Sequence, residues 1–220
     1  LMPETADDVP VEVVADAPTK ADTDASNDTA GGVSDQLGAA FGAARTELDL
    51  VSSYFVPGTA GTTALASLAQ RGVRVRIVTN SLATSDVAAV DAGYARHRVA
   101  LLRSGVQLFE LKRAVAGPPA SGSGPVWMPT RTGSTASLHG KTFVVDRERL
   151  FVGSFNLDPR SVWLNTEMGM LIDSPSMASD FSAALDRDLR GIAYTVRLSV
   201  DGRLQWVDHQ PAGDVVFHRD

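Results

Sequence analysis

The chain has 220 residues, 44% of them hydrophobic, no cysteine, and a formal net charge of −6 with a pI near 5.2. That length forms one good-sized domain, and no apolar run approaches the ~18 residues needed to span a bilayer. Disulfides and thiolate sites are excluded, and the acidic balance gives no long-range pull toward nucleic acid or anionic lipid, leaving local basic patches as the route to either.

Residues 1 to 8 begin Leu1-Met2-Pro3-Glu4, with neither an initiator methionine nor a basic-then-apolar stretch. They read as a leader or the cut end of a longer chain. Residues 9 to 220 read as a single unit. Val9 to Val14 suits a short strand. Residues 16 to 32, rich in Asp, Ala, Thr and Gly, read as a solvated flexible loop. Ser34 is placed to cap a helix running to about Glu47, and Leu48 to Phe55 suits a strand ended by Pro57-Gly58. Residues 60 to 71 suit a helix with Leu65, Leu68 and Ala69 on one face and Gly72 as its stop. Val73 to Thr79 follows as a strand whose Arg74 and Arg76 face away from its valines. A helix over Asp86 to Ser104 and a strand over Val106 to Leu111 come next.

Residues 114 to 137, rich in Gly, Pro, Ser and Thr and carrying Trp127 and Met128, interrupt the alternation. They read as a flexible surface loop, with an active-site lid or lipid-touching flap as the functional alternative. Beyond residue 166, Glu167 to Ile172 suits a strand and Ser174-Pro175 opens a helix to about Arg190. Asp201-Gly202 joins two apolar runs as a hairpin, and Val215-Val216-Phe217 starts one more. Strands alternating with helices imply an α/β/α sandwich around a mainly parallel or mixed sheet.

The chemistry concentrates between His139 and Asn156. The block reads His139-Gly140-Lys141, then Asp146, then Gly153-Ser154-Phe155-Asn156. The runs Thr142 to Val145 and Leu150 to Val152 are strand formers, and Arg147-Glu148-Arg149 is a polar turn, so the block suits a β-hairpin. Side chains two apart share a strand face. His139 and Lys141 are therefore expected side by side, an imidazole next to an ammonium, which suits an anionic substrate with a difficult P–O bond. Ser154 and Asn156 share parity and can donate to phosphate oxygens, while Asp146 has the opposite parity and suits a structural role.

This block resembles the HKD motif of the phospholipase D superfamily, HxKxxxxDxxxxxxGSxN, with every defining position filled. The flanks, Leu50 to Pro57, Gly72 to Leu82, Gly153 to Ser161 and Leu164 to Glu167, resemble the bacterial cardiolipin synthases of that superfamily. The resemblance covers roughly residues 9 to 210 and most resembles a C-terminal half. It implies transfer of a phosphatidyl group from one phospholipid to an alcohol on another, through a phosphohistidine. Covalent catalysis of this kind splits one hard step into two. The superfamily works with two such motifs, in one chain or across a homodimer, and this chain has one. A second half is therefore the implied partner, beside a phospholipid substrate and peripheral contact with the bacterial cell membrane, its side left open. Nucleic acid is not expected.

By the same resemblance, His139 in a second motif is the general acid and later base, with the nucleophile's role left open. Lys141 holds the phosphate charge, and Glu167 hydrogen-bonds the motif histidine. Ser154 and Asn156 contact phosphate, while Asp146 and Gly153 are structural. Tyr54 and Asn80 stand at the carboxyl ends of expected strands, where ligands bind open α/β sheets, and with Arg160 they are possible lining residues. Gly140-Lys141-Thr142 mimics the end of a phosphate-binding loop, but Thr135 stands where that loop needs glycine and a β-branched run follows in place of a helix. His97, His209 and His218 show no metal-ligand spacing, so neither a metal nor another cofactor is expected. The alternatives are a homodimeric phosphodiesterase or endonuclease of the same superfamily and a non-catalytic lipid-binding module.

Overall fold

The computed structural model describes residues 9–21, 31–82, 84, 88–112 and 138–218. The expected leader over 1–8, the loop over 114–137 with Trp127 and Met128, and residues 22–30 of the first expected loop lie outside these.

Most of the expected strands and helices form in the expected order, with a further short helix at Pro159–Trp163. β1 (Val11–Ala15) leads through a 3₁₀ turn at Pro18–Ala21 to α1 (Val33–Gly42), then β2 (Glu47–Ser52), α2 (Gly58–Gln70) and β3 (Arg74–Asn80). Then come α3 (Ala88–Ala95), α4 (Arg98–Arg103) and β4 (Gln107–Leu111). β5 (Lys141–Val145) and β6 (Arg149–Gly153) form the motif hairpin, followed by α5 (Pro159–Trp163), β7 (Met168–Asp173) and α6 (Pro175–Ile192). β8 (Ala193–Leu198), β9 (Leu204–Gln210) and β10 (Gly213–His218) close the described chain.

The ten strands form one sheet in the order β1-β7-β6-β5-β2-β3-β4-β8-β9-β10. Among the ten described strands only the β2–β3 and β3–β4 pairings are parallel. The sheet is thus mixed, because the motif block and the Asp201-Gly202 turn make hairpins where crossover helices would be needed for parallel pairing. Alternation along the strands sorts the core. Leu48, Leu50, Val75, Ile77, Phe143 and Phe151 pack under α1, α2 and α4. Val51, Val78 and Val144 face α6, whose buried Ala178, Ser182, Leu185 and Leu189 recur at helical spacing.

Three local expectations change. α1 is capped by Gly32 without a side-chain bond and ends at Gly42, not near Glu47. The helix expected over Asp86 to Ser104 breaks at Arg96-His97. Asp16 is buried rather than solvated, because its carboxylate collects three donors.

An ion-pair network ties α6 to the sheet. Arg76 pairs with buried Asp49 at 2.6 and 2.7 Å, and Asp186 on α6 receives Arg74, Arg76 and Arg147. Partial burial by itself would raise the Asp186 carboxyl, but hydrogen bonds and charge from Arg147, Arg76 and Arg74 outweigh it and bring it down to about 2. Its unfolded value is near 3.9. A carboxylate depressed in the fold stabilises above its unfolded pKa and loses that contribution as pH falls through the folded value. Asp186→Asn is expected to lower stability at pH 7 by about 1 kcal/mol or less, the range for a solvent-screened pair. Urea unfolding should show that gap closing between about pH 4 and pH 2. A gap undiminished at pH 2 rules the network out as its cause.

Candidate active site

The motif residues gather where β2 and β3 end, β5 begins and β6 stops. Parallel pairing sends β2 and β3 out at the same edge, the edge where open α/β sheets bind ligands. Asn80 closes β3 there. Its amide accepts from the N–H of Leu138 at 2.9 Å and donates to the carbonyls of Leu138 at 3.2 Å and Ser53 at 3.1 Å. Asn80 therefore fixes the residue before His139 and is itself buried.

His139 lies before β5 rather than in it, because the β2–β5 pairing stops at Ser52–Lys141. Its ring is exposed and, among the described residues, makes no side-chain hydrogen bond. Adjacency to Lys141 comes through the backbone: the ammonium donates to the His139 carbonyl at 3.1 Å and to the Ser53 hydroxyl at 3.3 Å. Among the described residues Lys141 has no carboxylate within ion-pairing distance. Burial lowers its pKa from the usual lysine value, while the charges of Glu167 and Asp158 pull it back.

Ser53 also donates to the Asn156 carbonyl oxygen of the side chain at 2.9 Å, so one buried hydroxyl links Lys141 to Asn156. The Asn156 amide nitrogen has no partner among the described residues and remains a donor for a ligand oxygen. The Ser154 hydroxyl donates closely to Glu167 Oε2 and accepts from the N–H of Met168 at 3.1 Å, so it holds Glu167 in place. Glu167 is buried, and Ser161 at 2.8 Å and Asn165 at 3.2 Å donate to its other oxygen. Among the described residues no hydrogen bond joins Glu167 to the His139 ring, so direct orientation of the imidazole is not its arrangement here.

Asp146 accepts from the backbone N–H groups of Arg45, Thr46 and Glu47, tying the hairpin turn to the start of β2. Burial would raise its carboxyl, but these donors outweigh that and lower it. Asp146 and Arg147 have φ of 54° and 56° within the three-residue loop that joins Val145 to Arg149, where the Glu148 N–H donates to the Val145 carbonyl. Gly153 is required sterically: a Cβ there meets the Met168 carbonyl and the Phe151 ring, each at 2.5 Å. Tyr54 sits half-buried after β2. Arg160 is exposed, and its bond to Asp158 runs through its backbone N–H as part of the α5 cap.

Sequence reasoning does not single out Ser53, Ser161 or Asp16 as site residues. Ser53 and Ser161 fall inside the flanking runs, the one signal that marks them; Asp16 has none. His97 bonds Thr62 on α2, and His209 bonds Thr195 and Asp214 on the far strands. Among the described residues no hydrogen bond joins His97, His209 or His218 to the site.

The fold is that of phospholipase D proteins. Nuc from Salmonella typhimurium, a phospholipase D family member, superposes with a TM-score of 0.59 at 19% identity, over 86% of this chain and 99% of that one. Phosphatidylserine synthase from Haemophilus influenzae gives 0.58 at 16% identity, over 82% of this chain and 39% of that one. Residues 37–189 match the family described as cardiolipin synthase, PLD-like domain, and the chain belongs to that family. Cardiolipin synthase C of Escherichia coli is 42% identical over 180 residues, covering 81% of this chain. The chain spans 37% of that relative's length.

Proposed function

We propose that this chain is one catalytic half of a phosphatidyltransferase of cardiolipin-synthase type, acting on phospholipid phosphodiesters through a phosphohistidine. The observation that carries this reading is the exposed His139 ring beside a half-buried Lys141 with no carboxylate paired to it among the described residues. A cation left unneutralised by the fold is available to a bound anion, and a preorganised donor of that kind stabilises charge developing on phosphate oxygen. The free amide nitrogen of Asn156 supplies a second donor.

In the reaction, a histidine nitrogen of the second half attacks phosphorus and the alkoxide of the first lipid leaves with a proton from His139. His139 then takes the proton of an incoming lipid alcohol, whose oxygen attacks phosphorus and releases the first histidine. General acid–base help of this kind contributes about 10²–10⁴-fold. An exposed apolar row on the sheet supports a partner surface. Val13, Met170 and Val152 are aligned across β1, β7 and β6 and exposed, with Met168 next to Ser154. The 37% share of the relative's length supports a further half of this kind.

The substrate places the protein at the bacterial cell membrane in peripheral contact; no helix among the described residues is long and apolar enough to cross one. The net charge of −6 disfavours nucleic acid as substrate. The test supplies the full-length protein with radiolabelled phosphatidylglycerol in mixed micelles and separates the lipid products. A diphosphatidyl lipid with released glycerol is expected. Cleavage of DNA without lipid turnover replaces this reading with the homodimeric phosphodiesterase, and turnover of neither with the lipid-binding module.

A further inference from the structure

We infer that the buried Asp16–Lys20 pair is a positioning unit for the active site, pinning both ends of the Ser161–Glu167 segment that holds Ser154 and Asn156. This rests on the reading of the site proposed above. Both residues precede the family-matched residues 37–189, and nothing in their local sequence marks them.

The side chains of Asp16 and Lys20 are 1% and 6% exposed and meet at 2.5 Å. Asp16 grips the backbone of Glu167 on both sides. Its own N–H donates to the Glu167 carbonyl at 2.9 Å, and its Oδ2 accepts from the Glu167 N–H at 3.0 Å. Its Oδ1 accepts from the N–H of Val33 at 2.8 Å, anchoring the grip to the start of α1. Lys20 takes the other end of the segment, donating to the Ser161 carbonyl at 2.8 Å.

Ser161 and Glu167 then act on the site. Ser161 donates to Glu167 Oε1 at 2.8 Å and its hydroxyl oxygen accepts from the Asn156 N–H at 3.1 Å. Glu167 Oε2 receives Ser154. A shift of the Ser161–Glu167 segment is therefore passed to Ser154, to Asn156, and to the charge facing Lys141. Stability alone is a weak reason for a buried ion pair, since apolar residues of similar volume do as well. Its particular yield is geometry: hydrogen bonds from Asp16 and Lys20 lock three separate chain segments together. Groups that orient directly acting residues typically change activity about 10–100-fold when replaced.

The test uses the full-length protein. Asp16→Asn nearly keeps the shape but leaves one acceptor oxygen for three donors, the Lys20 ammonium and the N–H groups of Val33 and Glu167. kcat is expected to fall about 10–100-fold with KM little changed. The Lys141 amine, followed by nitrogen NMR, should titrate at lower pH because Glu167 no longer faces it squarely. Lys20→Met should act in the same direction and Lys20→Arg should restore most of the rate. Folded Asp16→Asn with wild-type kcat and an unmoved Lys141 titration overturns the inference. If Asp16→Asn does not fold, Lys20→Met is judged by the same two readouts. Should the wild-type protein turn over no phospholipid, the proposed function fails, and the Lys141 titration alone still decides the positioning role.

Discussion

Replacing His139 with asparagine is expected to cut phosphatidyl transfer by at least ~10³-fold in the full-length protein, with the fold intact. Asparagine is polar and compact but exchanges no proton near neutral pH, so both the acid step and the base step lose their group. The fold should survive because the ring is exposed and, among the described residues, makes no side-chain hydrogen bond. Substitutions at such positions usually stay within about 0.5 kcal/mol. Transfer is measured with radiolabelled phosphatidylglycerol and folding by thermal unfolding. Near wild-type turnover in the variant removes His139 from the chemistry.

Lys141→Ala is expected to cost about 10²–10³-fold, the usual loss when one preorganised donor to a developing oxyanion is removed. Its pH behaviour gives a second check. The protonated amine is the active form, and burial lowers its pKa from the usual lysine value. Activity should therefore fall on the alkaline side at a pH below that of a free lysine. The charge of Glu167 is the larger of the two influences raising the amine's pKa, so Glu167→Gln should move the same limb further toward neutral. An alkaline limb that stays in place in Glu167→Gln, or a Lys141→Ala variant with full activity, breaks the assignment. Lys141→Arg is not a faithful replacement, because a planar guanidinium does not reproduce the compact ammonium held between Ser53 and the His139 carbonyl.

Both residues are legible in the sequence because they belong to a short local pattern. The spacing from His139 to Asn156 is a hairpin spacing, and the turn at Asp146 and Arg147 forms within the block itself. The structural character of Asp146 and Gly153 is legible for the same reason: one terminates a strand, the other sits where β6 crosses Gly169 too closely for a side chain. Roles that depend on a single neighbour are less legible. Ser154 reads as a phosphate donor by parity, but the folded chain brings Glu167 to its hydroxyl. Asn80 reads as a lining residue by position, but its amide is taken up by the backbone before His139.

The sequence by itself determined most of the order of strands and helices, the hairpin that carries the motif, and the spacing of His139 and Lys141 within the one motif present. The elements follow from side-chain periodicity and turn preference over short local stretches, and the motif from its resemblance to a known family pattern. Only the tertiary structure decided the mixed pairing of the sheet, the link from Lys141 through Ser53 to Asn156, and the burial of Asp16. Ser53 and Asn156 are 103 residues apart and Asp16 and Glu167 are 151 apart. Hydrogen bonds over such separations leave no period in the chain. Asp16 stands at the head of a run whose composition suits a solvated loop, and only three donors meeting at its carboxylate make its burial favourable.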